Sequence, residues 1–318
     1  MSVKLRVSVM NSKSTILILA VIALLITFAP RISPASSGSV LLSVTVSQFP
    51  KDVPAGDAVL IKLIPNVDAT KITGECYGQS VHFFKIDESV NEYYAFVGTD
   101  VNEKEPTRKL TLTLTYDVGV THDYDFDLKV KSVKYPEEKL TVDSKMVEPP
   151  KEEDKRIKQE REAVLKVYDT SRTKPHFDSE FKMPLTTQLS STFGRRRVLN
   201  GIKKSPHSGL DFRGKTGTPV KASNVGQVVM AQDLYFTGNT VLIDHGIGLF
   251  TAYFHLSDIY KDVGEEVKRG EEIGAVGMTG RSTGPHLHFG VKLNGFYVNP
   301  LSVLSLSERL FSADEKTN

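Results

Sequence analysis

Three short stretches in the C-terminal part of the chain carry side chains that can do chemistry. Gly284-Pro285-His286-Leu287-His288-Phe289 sets two imidazoles two residues apart, between a turn and an apolar run. Successive side chains of a β-strand alternate faces, so His286 and His288 point the same way, about 6.6 Å apart along the strand, while Leu287 points into the core. Pro206-His207-Ser208-Gly209-Leu210-Asp211-Phe212 spaces a histidine and a carboxylate four residues apart. That spacing shares a face on a strand or a helix, and Pro206 and Gly209 favour extended or looped backbone. His255 ends the run Leu249 to His255, in which Phe250, Ala252 and Phe254 are expected to face the core and Thr251, Tyr253 and His255 the other way.

Taken singly, each stretch is weak. An H-x-H is more often a pair of half-exposed strand histidines, Asp211 serves equally well as a turn or capping residue, and a stripe of Thr, Tyr and His is also an ordinary solvated sheet face. Together they offer His207, Asp211, His255, His286 and His288. Zinc is held by imidazole nitrogen at about 2.0–2.1 Å and carboxylate oxygen at about 2.0–2.2 Å, and a catalytic site uses three protein ligands and an open position for water. Five candidates exceed that need by two. A hydrolase requires such a surplus, because metal-activated water still needs neighbours to move protons and steady an oxyanion. Spacing leaves open which histidines bind and which assist. His245, beside Gly246 in a turn, reads as structural, and His82 and His122 lack neighbours of metal-ligand type and read as structural or surface residues.

The elements that must position these groups are mainly β. With 318 residues, 25% charged and 40% hydrophobic, the chain is long enough for two domains of ordinary globular composition. Its formal net charge of +2 is too close to neutral for the electrostatic footprint of a nucleic-acid binder. Residues 36–146 read as short alternating strands, among them Val40–Val46, Ala58–Ile64, Leu110–Tyr116 and Asp125–Val130, and predict an antiparallel β-sandwich for which an immunoglobulin-like arrangement is one form. Residues 147–176 contain the charge run Lys151 to Arg161, then Ala163, Val164, Leu165, Val167 and Tyr168: a solvated linker helix with an apolar stripe in its second half. Residues 177–306 are glycine-rich with short strands and hairpin turns, and predict a second antiparallel β domain. Leu301 to Leu310 reads as one or two helical turns, and residues 307–318 as a polar tail.

Residues 1–35 read as a targeting segment. Lys4, Arg6 and Lys13 precede a charge-free apolar run of about 15 residues, Thr15 to Ala29, which fits a signal-peptide h-region better than the roughly 20 residues that span a bilayer. Cleaved signal and retained membrane anchor both place the remainder outside the cytoplasm. Cys76 is the single cysteine, so no intramolecular disulfide forms, and it reads as a small buried apolar side chain.

The motifs also follow one another in a recognisable order. Ser191-Thr192-Phe193-Gly194-Arg195, His207-Ser208-Gly209-Leu210-Asp211-Phe212, Gly217-Thr218-Pro219-Val220-Lys221-Ala222, Asp244-His245-Gly246, Tyr253-Phe254-His255-Leu256 and Thr279 through Phe289 resemble the signature blocks of the lysostaphin-like, LytM-type zinc peptidases. The resemblance covers about Phe181 to Leu301. It implies an antiparallel β core with a narrow groove, one zinc held by His207, Asp211 and His288, and catalytic roles for His255 and His286. It further implies hydrolysis of peptide bonds in bacterial peptidoglycan, in the periplasm or cell envelope, with membrane contact only through an uncleaved N-terminal segment. The run Arg195-Arg196-Arg197 reads as a solvated loop, with contact to stem-peptide carboxylates as its other reading. The sandwich is left as a spacer, a partner-binding module or a cover touching the active-site groove. A non-catalytic envelope regulator using the same groove is the alternative to an enzyme.

Overall fold

The structure, a computed structural model, describes residues 3–5, 41–117 and 119–312. Nearly all of the expected targeting segment and the last residues of the expected tail lie outside them. No helix among the described residues is long and apolar enough to cross a membrane.

Alternation builds the N-terminal sandwich. One sheet orders Val3–Leu5, Val44–Phe49, Ala58–Pro65 and Tyr93–Gly98; the other orders Val53–Pro54, Thr121–Lys131, Thr107–Thr115, Lys71–Cys76 and Gln79–His82. Ile61, Leu63 and Val97 from the first meet Leu110, Leu112, Leu114 and Leu128 from the second in a core that also encloses Cys76. Burial pushes the Cys76 thiol up to about 12, so it packs and does not react. Lys71–Cys76 escapes a reading from alternation because Gly74 and its charges break the apolar pattern, and Tyr93–Gly98 because it is nearly apolar throughout. Ala58 and Leu60, on the outer face of their strand, pack with Phe84, Phe96, Phe177, Val303 and Leu306 in the main core of the C-terminal unit. Both faces of that strand are therefore covered, which is why it reads as a continuous apolar run.

In the C-terminal unit we label the strands that frame the site β1 (Gly209–Arg213), β2 (Gly226–Leu234), β3 (Gly238–Asp244), β4 (Leu249–Ile259) and β5 (His286–Leu293). They lie side by side, all antiparallel, in the order β1-β5-β4-β3-β2. Leu210, Phe212, Tyr253, Leu287, Phe289 and Val291 fill the core on one face. The opposite face is covered by helix α1 (Asp154–Tyr168), whose Ala163, Val164, Val167 and Tyr168 pack on Met230, Leu234, Leu242, Ala252 and Phe254.

Two expected boundaries shift. Glu137–Leu140, assigned by sequence to the sandwich, leaves it and pairs in parallel with Arg196–Leu199 of the C-terminal unit. The expected tail from 307 is instead helix α2 (Pro300–Ser312), longer than one or two turns. Asn299 starts it, its side-chain oxygen accepting from the Leu301 N–H, with Pro300 in the first turn where no N–H is needed. Val303, Leu306 and Leu310 then recur at helical spacing on its buried face.

Candidate metal centre

Register sets the first contacts. In the β1–β5 pair Asp211 stands opposite His288 and Arg213 opposite His286, so period-2 alternation puts all four on one face, away from Leu287 and Phe289. His286 and His288 share that face as expected. Gly209 makes room for them: a Cβ there would lie 2.2 Å from the Phe289 carbonyl oxygen and 2.9 Å from His288 Nε2. His207, just before β1, folds back over the same spot.

Three donor atoms converge. His207 Nε2 lies 3.0 Å from Asp211 Oδ1 and 3.0 Å from His288 Nδ1, and His288 Nδ1 lies 2.9 Å from Asp211 Oδ1. Among the described residues these three form the group able to hold a metal ion. A tetrahedral ion at about 2.0–2.2 Å from its ligands spaces them about 3.3–3.5 Å apart, so the triangle need open by only a few tenths of an ångström and the donor set fits zinc. His207 donates its Nδ1–H to the Thr192 carbonyl at 2.8 Å, which leaves Nε2 unprotonated and aimed at the centre.

Electrostatics prepare the same state. Burial holds His288 down at about 4, against the partly compensating contact with Asp211, so its imidazole is neutral and its nitrogen free for a metal. Burial would raise the Asp211 carboxyl, but its close contacts with the His207 and His288 imidazoles override that and hold the group well below the usual carboxylate range. Arg197 adds a third partner through an ion pair with Asp211. The same guanidinium donates from Nε to Glu138 at 2.9 Å, and Glu138 also accepts from Ser191 Oγ at 3.0 Å. Arg196–Leu199 is thus a strand and Arg197 a half-buried positioning residue, which corrects the reading of the arginine run as a solvated loop. The charge run was a real signal, but its acidic partner lies far away in sequence.

His255 reaches the site by breaking the strand rule. Strict alternation would aim it with Tyr253, yet Tyr253 is fully buried in the core and Thr251 is buried too, so no polar stripe faces outward. The ladder between β3 and β4 slips after Tyr253, leaving Phe254 and His255 opposite one residue, and His255 adopts φ +63°. That left-handed residue swings the imidazole to the face of His288, with its ring centre 4.8 Å from His286 and 6.3 Å from His288. Phe254 stacks on His288 with ring centres 5.1 Å apart.

His255 and His286 are held alike. His255 donates Nδ1–H to the Thr279 carbonyl at 2.8 Å, and His286 donates Nδ1–H to the Gly284 carbonyl at 2.8 Å. Each therefore presents Nε2 to the centre, and His286 Nε2 lies 3.8 Å from Asp211 Oδ1. Burial first, then His286 and His288, pull His255 down to about 3 and keep it neutral. These carbonyl anchors leave no trace in side-chain types and could not be read from sequence. Asp211, His255 and His286 line one cavity with Glu138, Leu140, Val142, Arg197 and the loop Arg281 to Pro285. His245 stays apart, buried between the Val225 carbonyl and Thr251.

Residues 205–300 match Peptidase family M23. Over 115 residues, 36% of this chain and 27% of the relative, the sequence is 44% identical to the peptidoglycan DD-endopeptidase ShyA of Vibrio cholerae serotype O1. Over 131 residues, 41% of this chain and 30% of the relative, it is 43% identical to the DD-carboxypeptidase/endopeptidase Mpg of Neisseria meningitidis serogroup B. The chain thus aligns with less than a third of the length of either curated relative. The crystal structure of a candidate M23 peptidase from Pseudomonas aeruginosa superposes with a TM-score of 0.61 at 29% identity, covering 80% of this chain and 95% of that one.

Proposed function

Given that residues 205–300 form a domain of peptidase family M23, we propose that this chain is a zinc endopeptidase acting on the stem or cross-link peptides of bacterial peptidoglycan. His207, Asp211 and His288 hold the ion; His255 and His286 act on the substrate. The observation that carries the reading is the convergence of three ligand atoms within 3.0 Å of one another, with two further imidazoles presenting Nε2 to the same cavity.

Zinc bound at such a site supplies a Lewis acid for the scissile carbonyl and a water whose pKa falls toward about 7. The chain's own groups do the rest. With both Nδ1 protons committed to backbone carbonyls, the imidazoles work at Nε2. A neutral ring there accepts the proton of the attacking water, and a protonated ring donates a hydrogen bond to the developing oxyanion. Arg197 fixes the Asp211 carboxylate while Thr192 fixes the His207 tautomer. The apolar run Thr15 to Ala29 supports export to the envelope, where this substrate lies.

The test is digestion of isolated cell walls by the zinc-loaded full chain, with mass analysis of the products. Cross-linked peptides are released, and His255→Ala or His286→Ala keeps the metal while the rate falls about 10²–10⁴-fold. Folded, metal-loaded protein that releases nothing across a range of pH rejects the reading.

A further inference from the structure

The cavity beside the candidate metal centre holds about 310 Å³, and its charges do not balance. Arg197, Arg213 and Arg281 line it, with Asp211 and Glu138 as its carboxylates. Both carboxylates are committed, Asp211 to the two ligand histidines and Arg197, and Glu138 to Arg197 and Ser191. Arg213 and Arg281 have no carboxylate partner among the described residues. Each is nonetheless fixed by the fold.

Arg213 follows Asp211 by two positions on β1, so it shares the site face and stands opposite His286 across the β1–β5 ladder. It is exposed, and a lone exposed guanidinium would mean little. Arg281 is different. It is half-buried, stacked with its guanidinium carbon 5.0 Å from the Phe236 ring centre, and the only hydrogen bond of that guanidinium among the described residues is a long one to the Met146 carbonyl at 3.4 Å. Burial, then the neighbouring Arg197, pull it below its ordinary value, as expected of a cation drawn from water beside another cation. A guanidinium fork matches a carboxylate in shape and charge. The same wall already holds one such group, since Glu138 sits on Arg197.

We propose that Arg213 and Arg281 form a carboxylate-binding subsite beside the catalytic histidines, so that the peptide cut here carries a free carboxylate close to the scissile bond. The inference rests on the peptidase reading and adds the substrate's charge. In a wall stem peptide that carboxylate comes either from the chain terminus or from an acidic side chain.

The experiment uses the zinc-loaded full chain and synthetic stem peptides in three forms: unmodified, amidated at the C-terminus, and amidated at the side-chain carboxylates. Affinity is measured by calorimetry, and kcat and KM by product release. Amidating the recognised carboxylate weakens wild-type binding about 10-fold or more, and the form that shows this loss identifies the source. Arg213→Gln and Arg281→Gln raise KM about 10-fold for the unmodified peptide, leave kcat within about 3-fold, and bind the amidated form as wild type does. Arg213 is exposed, so its variant keeps the test decisive even if Arg281→Gln fails to fold. Equal binding of all three peptides by wild type, or unchanged discrimination in Arg213→Gln, overturns the subsite. Cleavage without charge preference leaves the peptidase reading standing and removes the subsite; preferential binding without cleavage does the reverse.

Discussion

Thr121–Lys131 in the sandwich and Leu249–Ile259 in the C-terminal unit are both strands of 11 residues, each with a histidine, and they use it in opposite ways. The first keeps a regular alternation, with Thr121, Asp123, Asp125, Asp127 and Lys129 in water; His122 shares the inner face with Tyr124 but sits at its half-buried end, beside the Tyr116 and Tyr124 rings. The second is buried at eight successive positions, because the core covers one face and α1 the other. A polar group there must find a protein partner or lose solvation outright. His255 found Thr279, and that bond fixes the ring for work. The difference teaches that a histidine at the half-buried end of a strand stays within reach of water and ordinary, while full burial with one committed nitrogen makes the other available.

The sharpest way to break this contrast is Asp211→Ala. Removing one of three converging donors should empty the site and lower wall-digestion activity by at least about 10³-fold, since metal-assisted catalysis contributes several kcal/mol. Zinc content by mass spectrometry or a chelator assay checks it; full metal with full activity would contradict the ligand set. A middle effect comes from pH. His245 is buried and burial holds it near 4, so the unfolded chain takes up its proton first as pH falls. Its contribution is fully present above about 6.5 and drains away between about 6.5 and 4, amounting to about 2 kcal/mol from pH 7 to pH 5. Denaturant midpoints at those two pH values should fall accordingly, with a shallower fall in His245→Gln; equal slopes would count against a buried neutral imidazole. At the small end, Lys109 and Asp125 pair at 2.8 Å on the sandwich's solvated face, with side chains 63% and 52% exposed. Lys109→Ala should move the melting temperature by about 1 °C or less and leave activity unchanged, and a larger loss would show that this face is less ordinary than its alternation suggests.

Much of the architecture was legible because alternation and turn residues are local. The sandwich strand Thr107–Thr115 and the shared face of His286 and His288 follow from period 2 alone, and Ala58–Pro65 from its short apolar run. His255 does reach the site side as expected, but not in company with Thr251 and Tyr253, because one left-handed residue in a bulge reverses alternation, and nothing in Tyr253-Phe254-His255 announces it. Arg197 was hidden in a triplet whose usual fate is solvation. The length of α2 was underestimated because Val303, Leu306 and Leu310 form a stripe only if a partner surface exists, and that surface belongs partly to the sandwich.

Glu138 reaches the site from the segment that follows the sandwich, outside the C-terminal unit's own stretch of sequence. The segment carrying it hangs between two anchors: Tyr135, whose hydroxyl donates to the Ala55 carbonyl at 2.7 Å and whose ring leaves no room for a Cβ at Gly194, and the parallel pairing of Glu137–Leu140 with Arg196–Leu199. Its carboxylate completes the surroundings of Arg197, and Arg197 those of Asp211. The C-terminal unit is thus not electrically self-sufficient. Cut free at its own sequence boundary it would keep every candidate ligand, but Arg197 would lose Glu138, the second of its two carboxylate partners, and lean on Asp211 alone. A shortened protein would differ in the charge around its candidate metal site, not only in length.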